Sequence, residues 1–172
     1  MTTGEKAAKI KVLFLDVDGV MTDGRITIND RGEEMKSFDV KDGQGLKLLM
    51  NGGIEVILIS GRTSRVIEHR ANELGVKEVY HGVSDKTTLC RRLLDEKGYD
   101  RQEVCCVGDD IPDIGMFRLS GLRIAVSDAA VEVRDEADLI TNCRGGYGAV
   151  REVCELILRS QGKWHELLGS AP

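Results

Sequence analysis

Val12-Leu13-Phe14-Leu15-Asp16-Val17-Asp18-Gly19 runs four apolar residues straight into two aspartates and a glycine. Uninterrupted apolar character, rather than alternation, is what a strand needs when helices cover both faces of its sheet. The same grammar recurs downstream. Val56-Ile57-Leu58-Ile59 leads to Ser60-Gly61-Arg62, and Val79-Tyr80 leads through Gly82-Val83-Ser84-Asp85 to Lys86. Val104 to Val107 leads to Gly108-Asp109-Asp110, while Ile124 to Val126 and Leu139-Ile140 complete the strand candidates.

Helical patterns fill the intervals. Asp42 is expected to cap a segment carrying Leu46, Leu48, Leu49 and Met50 that ends at Gly52-Gly53. Thr63 or Ser64 starts the next, which stops before Gly75, and Ser84 opens a third that stops before Gly98. Pro112 falls in the first turn of a fourth running to Gly121. A shorter helix covers about Val131 to Ala137, and a last one runs from Val150 to Gly162. This alternation predicts an α/β fold: a three-layer, Rossmann-like open parallel sheet with right-handed crossovers. One stretch breaks the rhythm. Arg25 to Ile28 and Glu34 to Phe38 flank Asn29-Asp30-Arg31-Gly32, which reads as a β-hairpin inserted after the first strand.

The 172 residues are expected to form a single domain, with a core over about 9–162 and the hairpin over about 25–38. The tail, 163–172, has weak pattern and is expected to be mobile or to dock on a neighbour. Aromatics supply only 4% of the chain, so the core must be aliphatic. A net charge of −5 and a pI near 5.3 offer no basic field for nucleic acid, although Arg62, Arg65 and Arg70 form a local cluster suited to a small anion. No apolar run approaches the roughly 18 residues of a membrane span. Met1 to Ala8 has no apolar core of a secretory signal, and a cytoplasmic location is expected. The five cysteines are odd in number and lack C-x-x-C spacing, so they read as structural thiols of a reducing compartment. With His69, His81 and His165 scattered, no zinc site is expected.

In an open parallel sheet, ligands bind beyond the carboxyl ends of the strands. What stands at those ends is therefore a functional reading. Asp16 and Asp18 alternate along an extended chain and point the same way, and two carboxylates so close call for a cation. Asp109 arrives from a neighbouring strand and completes an oxygen-only set suited to Mg²⁺. Ser60 offers a hydroxyl and Gly61 a free N–H, while Lys86 supplies a positive charge for a phosphoryl oxygen. Each feature alone is unremarkable: a D-x-D is common, Ser-Gly-Arg makes an ordinary turn, and Lys86 could be a surface lysine. Together, in this order and each at a strand end, they describe phosphoryl transfer.

These residues, with Asp113 three positions after Asp110, resemble the four motifs of the haloacid dehalogenase-like phosphatases. The resemblance implies that Asp16 is the nucleophile and a Mg²⁺ ligand. Asp18 would act as acid and base and lend its carbonyl to the metal. Ser60, Gly61 and Lys86 would hold the phosphoryl group. Asp109 would bind Mg²⁺, with Asp110 and Asp113 standing behind and orienting Lys86.

Only 44 positions separate Asp16 from Ser60, and 26 separate Ser60 from Lys86, so neither interval has room for the cap domain of larger members. The Asp16-to-Gly24 start, Phe38 to Gly45 and Gly145 to Glu152 resemble a capless branch acting on phosphorylated sugar acids. The branch implies a homotetramer, its hairpins assembled centrally and neighbouring subunits closing each site. It further implies a sugar-acid pocket lined by Asp18, Asp39, Val40, Lys41, Asp42, Gly43, Lys47, Arg62, Arg70 and Lys86, with Arg62 or Arg70 pairing with the sugar carboxylate. Asp39 stands where many members carry Asn, and Lys47 where many carry Arg. Arg62, after Gly61, favours an eight-carbon octulosonate 8-phosphate, the precursor of a lipopolysaccharide sugar. Relatives for nine-carbon nonulosonate 9-phosphates tend to carry Glu there. The alternatives are that nine-carbon substrate, or a non-catalytic tetramerisation module.

Overall fold

The computed structural model describes residues 1–169. Its central sheet holds β1 (Val12–Leu15), β4 (Glu55–Ile59), β5 (Glu78–Tyr80), β6 (Val104–Gly108), β7 (Leu122–Ala125) and β8 (Leu139–Ile140). The strand order is β5-β4-β1-β6-β7-β8, and every pairing is parallel. Leu15 lies opposite Leu58 on one side and Val107 on the other, so the residues that follow these three strands emerge side by side. Because the chain winds outward from β1 to β5 and then returns to β6, β1 marks the switch point at which a crevice opens. All residues of β1 and β6 are buried, which is why their apolar runs are continuous.

Among the described residues, eight α-helices flank the sheet or extend from it: α1 (Thr3–Ala7), α2 (Val40–Asn51), α3 (Arg65–Leu74), α4 (Lys86–Lys97), α5 (Ile114–Phe117), α6 (Val131–Glu136), α7 (Ala149–Ser160) and α8 (Trp164–Gly169). α2 packs against α7 and α3, whereas α4 packs against α5 and α5 against α6. The α2–α7 contact buries Leu46 and Leu49 with Val150, Val153 and Ile157, each worth roughly 1.5–3 kcal/mol of apolar transfer. Among the described residues no helix is long and apolar enough to cross a membrane.

The hairpin forms where the turn chemistry predicts it: β2 (Thr27–Ile28) pairs antiparallel with β3 (Glu34–Met35). Asn29 Oδ1 accepts the N–H groups of Arg31 (3.0 Å) and Glu33 (2.9 Å), and Gly32 takes φ +78°.

Several boundaries differ from expectation. α2 is capped by Asp39, whose carboxylate accepts Lys41 N–H at 2.6 Å, three positions before the expected Asp42. Asp42 faces inward and caps a different helix from outside, accepting Arg151 N–H at 2.7 Å and Gly148 N–H at 3.3 Å. α4 is capped by Asp85 rather than Ser84. The helix expected from Pro112 to Gly121 is a 3₁₀ turn (Ile111–Asp113) followed by the single turn of α5. α1 was not foreseen. The tail forms α8, with Trp164 buried beneath the guanidinium groups of Arg151 (5.1 Å) and Arg159 (4.7 Å). Residues 170–172 of that tail lie outside the described residues.

Candidate active site

The loops after β1, β4 and β6 and the start of α4 meet at one cleft of about 200 Å³. Asp16 leaves β1 with its N–H still bonded to Val107 C=O (3.2 Å), so its buried carboxylate is held as rigidly as the sheet. The chain then turns at Gly19, where φ is +96° and a Cβ would overlap the Asp109 carboxylate. Thr22 Oγ1 secures this turn by accepting the N–H groups of Gly19 and Gly24, both at 3.2 Å.

Lys86 opens α4 with its side chain buried, and its ammonium pairs with Asp16 and with Asp113 Oδ1 (2.7 Å). Asp113 in turn accepts Asp109 N–H (2.9 Å) and Asp110 N–H (3.3 Å), so it orients both Lys86 and the loop that carries Asp109. Asp110 accepts Ile111 N–H at 2.8 Å, capping the 3₁₀ turn from the cleft's rim. Ser60 is buried, accepts Arg62 N–H at 3.2 Å, and stands with its hydroxyl 3.3 Å from Asp18 Oδ2. Gly61 and Arg62 line the cleft, and Arg62 keeps 45% of its side chain exposed while touching Glu34 at 3.4 Å.

Carboxylate oxygens of Asp16, Asp109 and Asp113 lie within 4.8 Å of one another. Burial raises the Asp16 carboxyl well above the usual range, with repulsion from Asp113 and Asp109 adding to it. Burial, then Asp113, pushes Asp109 up to about 7. Burial alone would depress the Lys86 ammonium, but Asp16 and Asp113 outweigh it and hold the pKa above the ordinary lysine value. Three carboxylates therefore crowd around one ammonium that pairs with two of them, and the excess negative charge is what a divalent cation with oxygen preference would neutralise. The donor set fits Mg²⁺. The Asp18 carboxylate is not part of this cluster: it meets Lys36 and Ser60 instead.

The residues expected to bind the sugar divide into two groups. Asp18, Arg62 and Lys86 line the cleft. Asp39, Val40, Lys41, Asp42, Gly43, Lys47 and Arg70 do not line the cleft of their own chain. Asp42 is buried against α7, where burial pushes its carboxyl up to about 6. Arg70 lies over the Phe38 ring (5.5 Å) and bonds Glu73 (2.8 Å) and Asp39 C=O (3.3 Å), in space that the missing side chain of Gly43 leaves open. Val40, Lys41 and Lys47 point outward from α2. Two residues at the site were missed: Lys36 and Glu34, which alternate along β3 and beyond it. Their i, i+2 spacing was visible in the sequence, but the hairpin was read only as an assembly element.

A family model described as haloacid dehalogenase-like hydrolase matches residues 75–152. The 3-deoxy-D-manno-octulosonate 8-phosphate phosphatase of Yersinia pestis is 43% identical over 92% of this chain and 85% of its own length. The chain belongs to that phosphatase family. Another member, from Escherichia coli K12, is 42% identical over 96% of this chain and 88% of its own. A crystal structure of the family's Moraxella catarrhalis phosphatase, in complex with magnesium, phosphate and KDO, superposes with a TM-score of 0.95 at 39% identity. It covers 98% of this chain and 97% of that one. The octulosonate 8-phosphate phosphatase family and the open parallel sheet are thus as the motifs implied.

Proposed function

We propose that the protein hydrolyses 3-deoxy-D-manno-octulosonate 8-phosphate to the free sugar acid and phosphate, with Mg²⁺ as cofactor, in the cytoplasm. The observation that carries this is the Asp16 carboxylate: buried at a strand end, paired with Lys86, and crowded by Asp109 and Asp113. Asp16 attacks phosphorus in line as the bond to the sugar oxygen breaks, and Asp18 gives that oxygen its proton. Asp18 then takes a proton from water, the water oxygen bonds to phosphorus, and the bond to Asp16 breaks to release phosphate. Ser60, Gly61 and Lys86 hold the phosphoryl oxygens throughout. Bound Mg²⁺, held by Asp16, Asp109 and the Asp18 carbonyl, supplies positive charge that keeps Asp16 ionised and offsets charge on the phosphoryl group.

Arg62 supports a sugar-acid substrate, because its partly exposed guanidinium at the cleft can match a carboxylate bidentately, and Arg rather than Glu after Gly61 is what favours the eight-carbon acid. Neighbouring subunits of a homotetramer close the site in this reading. Ile26, Ile28 and Met35 on the hairpin and Val40 at the start of α2, which is 80% exposed, form apolar surface in need of a partner. In this reading Lys41 and Lys47, exposed on α2, reach toward such a neighbour. Deleting residues 25–38 is then expected to break the oligomer and lower activity; an active monomer would remove the tetramer from the mechanism.

The deciding assay is Mg²⁺-dependent phosphate release from matched octulosonate 8-phosphate, a nonulosonate 9-phosphate and hexose phosphates. The highest kcat/KM is expected for the eight-carbon acid. Preference for the nine-carbon acid would keep the mechanism and change the substrate, and no release from any would leave a structural module.

A further inference from the structure

The hairpin touches two residues that line the cleft of its own chain, Asp18 through Lys36 and Arg62 through Glu34. Glu34 and Lys36 project to one side of β3 and its extension while Met35 projects to the other. The Lys36 side chain is 1% exposed, and its ammonium pairs with Asp18 Oδ1 and with Glu34 Oε1 at 3.1 Å. Glu34 Oε1 also meets Arg62 Nη2 at 3.4 Å. An ammonium withdrawn this far from water is stable only when paired on more than one side, so these contacts are not those of a loose surface lysine. A chain of charge, Arg62–Glu34–Lys36–Asp18, thereby links the hairpin to the loops after β4 and β1.

Both Asp18 oxygens are occupied: Oδ1 by Lys36, and Oδ2 by the Ser60 hydroxyl at 3.3 Å, which the Arg62 carbonyl shares at 3.2 Å. A phosphoryl oxygen entering the cleft competes for the Ser60 hydroxyl. When Ser60 turns to it, Oδ2 is released and Oδ1 is not.

We infer that Lys36 is a positioning residue for Asp18: it pins Oδ1, so that Oδ2 is the atom that faces the sugar oxygen and passes the proton. The inference rests on the phosphatase reading and on Asp18 as its acid. A carboxylate free to rotate about Cβ–Cγ would present its proton in the required direction only part of the time, and orientation of this kind is a large share of proton-transfer efficiency.

The test compares two leaving groups, using kcat/KM, which reports the steps through formation of the Asp16 ester. A sugar alkoxide leaves only if protonated, whereas p-nitrophenolate leaves without a proton. Lys36→Met is expected to lose about 100-fold on octulosonate 8-phosphate. Its loss on p-nitrophenyl phosphate should be at least about tenfold smaller, and Lys36→Arg should regain part of the larger loss. Equal losses on the two substrates, or no loss on the sugar phosphate, would overturn the inference. Should Lys36→Met fail to fold, Glu34→Gln removes the other anchor and must show the same asymmetry in smaller measure; equal losses there overturn it too. Failure of the substrate reading is separate, because it shows in wild type: the sugar phosphate that wild type hydrolyses best then replaces octulosonate 8-phosphate. A wild type that hydrolyses no sugar phosphate overturns both.

Discussion

The sheet has a cleft at each end, and they differ in size and in charge. At the amino ends of β1, β4 and β6 lies a cleft of about 700 Å³, bordered by Lys9, Lys11, Ile54, Glu103 and Lys163. Each of its cations has a hydrogen-bonding acceptor: Lys9 meets Gln102 at 2.9 Å, Lys11 meets Glu103 at 2.5 Å, and Lys163 meets the Gly52 carbonyl at 2.7 Å. At the carboxyl ends the cleft is only about 200 Å³, yet the Asp16, Asp109 and Asp113 carboxylates crowd together there and the buried Lys86 ammonium pairs with two of them. Volume records where side chains happen not to meet. Unbalanced buried charge is different, because a fold tolerates it only where something else is meant to bind.

The largest effect expected is at the small cleft. Asp16→Asn should lower turnover by about 1000-fold or more while circular dichroism stays that of wild type. Retained activity would dissolve the distinction between the two ends. Next, Gly19→Ala drives a methyl group into the Asp109 carboxylate and strains a φ of +96°, at a cost of about 1–3 kcal/mol. A displaced ligand should cost about 100-fold in activity, with weaker Mg²⁺ binding by titration calorimetry; normal Mg²⁺ affinity would show that Asp109 does not need that space.

The third test concerns protons. The Asp109 carboxyl of the metal-free protein, pushed to about 7 by burial and Asp113, is raised above its unfolded value. The folded state therefore holds a proton that the unfolded state has released, and this group's contribution to stability grows as pH falls from about 7 toward 4. Mg²⁺ binds the ionised form, so its affinity should fall by about tenfold per pH unit below 7 for each proton displaced. Thermal melts with EDTA and with Mg²⁺ should show a gain at pH 8 that shrinks by pH 5; a constant gain contradicts the crowding of Asp16, Asp109 and Asp113. The smallest effect belongs to the large cleft. Lys11→Ala, losing a mostly exposed ion pair, should change stability by less than about 1 kcal/mol and leave phosphate release unaltered. A fall in activity would mean that the two ends communicate.

The strands and the motif residues were legible because both are local. A run such as Val104 to Val107 is apolar on every side wherever it sits, and Asp109 must follow it by chain connectivity alone. The cap of α2 was less legible. Asp39 and Asp42 are equally good capping residues before the same apolar pattern, and what separates them is that α7 claims Asp42 through Arg151, 109 positions away. Trp164 gives no periodic signal in a short tail; it is buried because Arg151 and Arg159 lie one above the other on α7. Arg70 was legible as an anion-binding candidate but is engaged with Phe38 and Glu73 within its own chain. Lys36 is the sharpest case, since a lysine in a polar hairpin is ordinary until the fold brings it against Asp18.

From the amino-acid sequence alone came the open parallel sheet and the strand-end placement that brings Asp16, Asp18, Ser60, Lys86 and Asp109 to one edge. Period, chain order and residue type suffice for these, and each is a property of neighbours along the chain. Only the tertiary structure decided which carboxylates crowd one another and which are spent on helix caps. It alone brought Lys36 to Asp18. Those pairings join residues far apart in the chain, and close packing between helices, hairpin and sheet, rather than local preference, selects among the many partners that a charged side chain could take.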